Sequence, residues 1–261
     1  MPAGRARRVK WRTFAQTSLL IVESPRRAAV RAPTLIRLLA RLADVDVAPS
    51  APPLSDRLSQ WIEWTQSLAL SSALDGAALV PGFGAPTPVA AEERECARVR
   101  QVLAAAIAGD RAFAATASAK APARSAAARE DADDFPFFRQ RYLALQQTLE
   151  AGAGRLRERL RERLTSASPE LAKLAEMDAV MERALARRER SLLAAAPALL
   201  GRRFERLRHD AQAAAGDAAP APDDWLAPFR RDMHDALLAE LDVRLQPSQG
   251  LLAALRARAP D

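Results

Sequence analysis

The large side chains Phe138, Tyr142, Leu145, Leu149, Leu156, Leu160 and Leu164 recur at spacings of three, four and seven, and no other feature constrains the fold of this chain so tightly. Advanced by 100° per residue, they stay within one narrow sector, which a helix can present to a neighbour and a strand cannot. The stripe predicts a helix of about 27 residues, roughly 40 Å long. Gly152 and Gly154 weaken its middle, because glycine costs about 1 kcal/mol in a helix interior. Ser168-Pro169-Glu170 then supplies a restart signal: a serine N-cap, a proline in the first turn and an acid beside the helix dipole. A second narrow stripe comes next, made of Leu171, Leu174, Met181, Leu185 and Leu192. Two such helices with a short joint fold back as an antiparallel, coiled-coil-like hairpin whose apolar edges need further cover. The fold class expected is therefore an all-α helical bundle built around a long hairpin, with no sheet. Abundant alanine and leucine and a single tyrosine point the same way, since alanine and leucine lose little side-chain freedom in a helix.

The rest of the chain divides by composition. Residues 1–32 hold eight arginines and lysines against Glu23 alone, so this segment carries the whole formal net charge of +7. It reads as a flexible basic tail that the folded part does not need. Residues 33–109 predict an N-terminal cluster of helices. Leu35, Leu38, Leu39 and Leu42 mark a short helix ending near Asp44 with Thr34 as its N-cap; Leu54, Leu58, Trp61, Ile62 and Leu68 mark a second, with Trp64 beside the stripe; Cys96, Val99, Leu103 and Ile107 mark a third from about Ala91. Prolines in 44–53 and glycines with prolines in 75–88 read as loops. Residues 110–133, almost free of large apolar side chains, read as an alanine-rich linker at which the chain would be cut. The hairpin occupies 134–208, opened by Asp133 and Asp134 ahead of Phe135, Phe137 and Phe138. Pro197 should kink or end its second arm, with Leu199, Leu200, Phe204 and Leu207 making one or two further turns. A loop is expected over 209–224. A last helix over 225–257, capped by Asp223 and Asp224, should pack broadly on the bundle, with Pro247 and Gly250 breaking it before a short terminal turn.

Catalytic and metal signatures are not legible. Cys96 stands alone and reads as a buried small hydrophobe. His209-Asp210 and His234-Asp235 repeat no spacing that sets two ligands on one helix face. Gly82-Phe83-Gly84 lacks the lysine or strand that a phosphate loop requires. The expectation is no enzyme, no cofactor and no metal; an unfamiliar active site would need a deep pocket around His234 or Glu240. No run approaches the roughly 18 apolar residues of a membrane span, so a cytoplasmic protein is expected. The run from Arg155 to Leu164 carries five arginines and two glutamates. It reads as a solvated face laced by pairs such as Arg155 with Glu158 and Glu158 with Arg161, in preference to a phosphate-binding edge.

Three segments, residues 32–47, Leu54 to Trp64 and Leu237 to Pro247, resemble a bacterial family of unknown function. The resemblance covers most of the chain from about Ala32 and leaves the basic tail outside. It implies a soluble helical protein, encoded beside MotA/TolQ/ExbB-like membrane proteins and OmpA-like envelope proteins, with no catalytic residue to carry over. The function expected is a non-enzymatic scaffold or adaptor. Its implied partner is the cytoplasmic part of a MotA/TolQ/ExbB-like complex, and self-association through the stripes is a further reading. A nucleic-acid-binding regulator, using the tail with Arg155, Arg157 and Arg161, is the alternative. The candidate interaction residues are Trp61, Trp64, Phe137, Phe138, Arg155, Arg157, Arg161 and Trp225.

Overall fold

A computed structural model of the chain describes residues 34–44, 62, 64–75, 89–113, 134–216 and 222–258. The basic tail, most of the 110–133 linker, Trp61 and the glycine-proline loops lie outside them, whereas Asp223 and Asp224, expected as the cap of the last helix, fall inside its first turn, because that helix starts at Pro222. The described residues form α1 (Thr34–Ala43), α2 (Trp64–Asp75), α3 (Val89–Ala108), α4 (Phe135–Ala167), α5 (Pro169–Leu193), α6 (Ala196–Ala215) and α7 (Pro222–Arg258). The fold is all-α, and no strand occurs among the described residues.

The hairpin obeys its local signals closely. Asp134 caps α4 by accepting from the Phe135 N–H at 2.9 Å, and the helix runs for 33 residues, about six more than the stripe alone marked. Ser168 ends α4 in extended backbone and in the same stroke caps α5, its hydroxyl accepting from the Leu171 N–H at 3.3 Å. Antiparallel packing then sets Arg157 and Arg161 against Asp178 and Glu182. Near the open end, the Gln146 side chain meets the Leu193 carbonyl. α5 buries Leu171, Ala172, Ala175, Val180, Ala184 and Leu193; of the expected stripe, Leu171 is in the core and Leu174 packs on it, whereas Leu192 is 51% exposed.

Several boundaries differ from the sequence reading, each for a local reason. The N-terminal helix ends as expected, with Asp44 at φ 57 in the left-handed region that aspartate tolerates, although Thr34 is the first helical residue and not its cap. Ile62 sits at a bend, and the described helix starts at Trp64, so the Leu54–Leu68 stripe is not one uninterrupted helix; Leu68 is exposed. Pro197 does end the second arm, falling in the first turn of α6 where its missing N–H costs nothing. Instead of one or two turns, α6 continues for 20 residues through His209, because the alanine-rich stretch to Ala215 propagates helix until Gly216, at φ 59, stops it. α7 runs 37 residues straight through Pro228, Pro247 and Gly250. Proline and glycine together cost about 4 kcal/mol inside a helix. Beyond them Leu251, Leu252 and Leu255 are all buried, and each buried leucine contributes about 2 kcal/mol. Burial outweighs propensity, and the helix continues.

The described residues cluster as one compact unit. α4 lies at its centre, against α3, α5, α6 and α7; α7 in turn touches α1, α3, α4, α5 and α6. The N-terminal helices are layered onto this core, α1 on α6 and α7, α2 on α5, and α3 on α4 and α7. The chain just beyond α3 is also structured, and corrects the expected start of the linker at residue 110: Asp110 and Ala112 are buried and Phe113 packs on the core. One end of the bundle is filled by interlocked rings, with Phe204 at 5.0 Å from Phe229 and 4.9 Å from Trp225, and Phe138 at 5.1 Å from Phe229. Gly201 lets the Phe135 ring lie against the α6 backbone, where a Cβ would fall 2.8 Å from it.

Candidate functional site

The arginine-rich run of α4 is only in part the solvated surface that its composition suggests: Arg155, Glu158, Arg159 and Glu162 are exposed, whereas Arg157 and Arg161 are not. Arg157 donates through Nε and a terminal nitrogen to both oxygens of Asp178, at 2.8 and 2.7 Å. Arg161 bonds Asp178 at 3.2 Å and Glu182 at 2.6 Å. The side chains of Arg157 and Asp178 are only 14% exposed and that of Arg161 only 19%. These four residues form a partly buried ion-pair network between the arms of the hairpin, so Arg161 meets carboxylates of α5 where Glu158 of its own helix was expected. Desolvation opposes the Arg161 charge, but the two carboxylates outweigh it and hold its pKa above the ordinary arginine value. Arg159 and Arg163 turn the other way, toward the buried Glu92 of α3, at 3.1 and 3.3 Å. Arg155 stays exposed.

Two further buried carboxylates are occupied in the same manner. Asp110 accepts from the Arg141 guanidinium, with Nε at 3.2 Å from each of its oxygens, and from the Ala112 N–H at 2.9 Å. Burial pushes this carboxyl up, yet Arg141 and the Ala112 N–H outweigh it and hold it below the ordinary aspartate value. Asp232 on α7 bridges Arg41 of α1 and Arg203 of α6, at 3.0 and 2.9 Å.

The most enclosed polar group is one that sequence reasoning associated only with a pocket. Glu240 has no solvent exposure, and its carboxylate receives the Tyr142 hydroxyl at 3.2 Å, the Gln146 amide at 2.8 Å and the Arg244 guanidinium at 2.9 Å. Gln146 also donates to the Leu193 carbonyl at 3.3 Å, tying the end of α5 into the cluster. Glu150 and Glu189 stand 3.9 and 3.8 Å from Arg244 at the rim. Burial, reinforced by the adjacent Glu240 charge, raises the Tyr142 phenol well above its usual value, so it remains a donor. The signal in the sequence was spacing: Tyr142, Gln146 and Glu150 fall four apart on α4, as Glu240 and Arg244 do on α7, beside otherwise apolar stripes.

The remaining candidate residues divide between core and rim. Phe138 is wholly buried; Phe137 lies edge-on to it at 5.3 Å, with the Arg111 guanidinium over its ring. Trp225 is half-buried against Phe204. Trp64 opens α2, and its side chain, like Trp61, lies outside the described residues. His209 and His234 are both helical, each 3.8 Å from its neighbouring aspartate, and the His234 ring packs edge-on to Phe113. A small cavity of about 170 Å³ is lined by Cys96, Leu156, Leu245 and Ser248 and lies apart from both histidines and Glu240. Among the described residues, no group of three or more His, Cys, Asp or Glu side chains is placed to hold a metal ion, and no helix is long and apolar enough to cross a membrane.

Compared with known families, residues 21–257 match the family described as "Protein of unknown function (DUF3348)". The match takes in Arg26, Arg27 and Arg31, so part of the basic segment lies inside the family, which corrects the expected boundary at Ala32. No curated protein and no solved structure matches.

Proposed function

The chain belongs to the DUF3348 family of proteins of unknown function, and within it we propose a non-enzymatic helical scaffold or adaptor, with the cytoplasmic part of a MotA/TolQ/ExbB-like complex as its partner. The observation that carries this reading is the inward engagement of Arg157 and Arg161 by Asp178 and Glu182. Those contacts join the two arms of the hairpin and occupy arginines that a nucleic-acid surface would use. Each phosphate neutralised by a free cation adds about 0.9 to the salt slope of duplex binding, and arginines already held by carboxylates cannot supply it. The buried carboxylates support the same reading: Glu92, Asp110, Asp232 and Glu240 each face arginines that neutralise them, which leaves them structural work.

The test is cross-linking of the full-length chain at native levels in cells that encode it, with a photoreactive residue at exposed Arg155. Recovery of a MotA/TolQ/ExbB-like protein is expected. Cross-links confined to nucleic acid, together with duplex binding that weakens steeply with salt, would overturn the proposal in favour of a regulator.

A further inference from the structure

We propose that Tyr142, Gln146, Glu240 and Arg244 form a register lock, a polar seam that fixes the position of α7 along α4 where their apolar contacts alone would not. The need for such a device comes from the sequence of α7. Phe229, Met233, Leu237, Leu241 and Leu245 recur every fourth residue, and all five are buried. A slide of four residues, about 6 Å along the axis, would carry most of them onto places already shaped for a large apolar side chain. Leucine-rich helix seams discriminate poorly among such registers, and a single buried polar contact is the best-attested means of choosing one.

The geometry shows how the choice is made. α4 and α7 run parallel, with Tyr142 and Gln146 meeting Glu240, Glu150 facing Arg244, and Arg258 at the end of α7 reaching Glu170 beyond the end of α4. In this register every partner of the Glu240 carboxylate is a donor. Slid one way, Arg244 would take the place of Glu240 and confront two groups without a carboxylate between them. Slid the other way, Ala236 would take that place and leave the Tyr142 hydroxyl and the Gln146 amide without their acceptor. Either displacement strands a charge or a polar group in a site that has no solvent exposure. The bond from Gln146 to the Leu193 carbonyl extends the lock to α5, so three helices are positioned by one carboxylate and its donors.

The test replaces the seam by apolar residues of similar volume, Tyr142→Phe, Gln146→Leu, Glu240→Met and Arg244→Leu together, in a full-length chain carrying Cys96→Ala. Spin labels at Arg139 on α4 and Ala253 on α7, both exposed, report the separation along the axis by pulsed electron paramagnetic resonance. With the seam intact, one narrow distance distribution is expected. With the seam apolar, a second population displaced by about 6 Å, the rise of one slipped turn, is expected. A single unshifted distribution in the folded apolar variant would overturn the lock. Should the fourfold variant not fold, the threefold variant that keeps Gln146 on the Leu193 carbonyl is read by the same criterion.

Discussion

Asp178→Asn tests the inter-arm network directly, because it removes one charge while leaving shape and helix propensity nearly unchanged. Two arginines share this carboxylate, with N···O distances from 2.7 to 3.2 Å. Breaking a fully buried pair costs about 3–5 kcal/mol, whereas an exposed pair is worth under about 1. Asp178 is 14% exposed and Glu182, which remains to hold both arginines, is 34% exposed. The loss should therefore fall between those limits, at about 2 kcal/mol. For a urea slope of roughly 2–3 kcal/mol per molar, the midpoint of unfolding should fall by about 0.7–1 M. Arg155→Gln, on the exposed face of the same helix, is the control and should move stability by less than about 0.5 kcal/mol. Combined in a cycle with Arg157→Gln, the Asp178 substitution should show a coupling of about 1 kcal/mol or more. Equal effects of Asp178→Asn and Arg155→Gln, or a vanishing coupling, would refute the placement of these arginines between the arms.

Other substitutions probe separate links. At Gly152 an added Cβ would lie 2.8 Å from the buried Leu103 side chain, while at Gly154 it would meet nothing within 4 Å; thermal unfolding should show Gly152→Ala destabilised by about 1 kcal/mol and Gly154→Ala stabilised by about 0.5–1 kcal/mol. The depressed pKa of Asp110 makes it a source of acid sensitivity. Its folded value lies below its unfolded one, so its contribution is complete above the unfolded pKa and lost as pH falls through the folded pKa; unfolding curves of the parent and Asp110→Asn should differ near neutrality and converge in strong acid. Burial raises the Cys96 thiol, and the charges of Glu92 and Glu95 raise it further. Alkylation of the native chain at pH 8 should accordingly be several-fold slower than of the urea-unfolded chain, and equal rates would contradict the packing of α3.

The hairpin was legible because its signals are local. The apolar period of α4, the Ser168 cap and Pro169 specify two helices and a joint without reference to anything else. The lengths of α6 and α7 were less legible, because their breakers compete with distant burial: Pro247 is a stop signal until Leu251, Leu252 and Leu255 find the core. Charge placement was the least legible. Arg161 has Glu158 at helical spacing in its own helix and Arg157 has no such glutamate, and only the antiparallel fold brings Asp178 and Glu182 to both. Glu240 was hidden for a similar reason, since its partners Tyr142 and Gln146 lie more than 90 residues earlier. The N-terminal helices, which periodicity marks one by one, are layered on C-terminal helices, α1 on α6 and α7, α2 on α5 and α3 on α4 and α7, and nothing local to their own sequences specifies those partners.

The breadth of α7 has a consequence for how the protein is made. This helix touches α1, α3, α4, α5 and α6, yet it is the last described helix to leave the ribosome. Until it emerges, the growing chain holds several half-finished seams, with Phe138, Tyr142 and Phe204 lacking their partners Phe229, Glu240 and Trp225. Synthesis is therefore a race between completion and adhesion to other chains, and a nonsense mutation anywhere ahead of Trp225 should yield an insoluble product in place of a shorter working one.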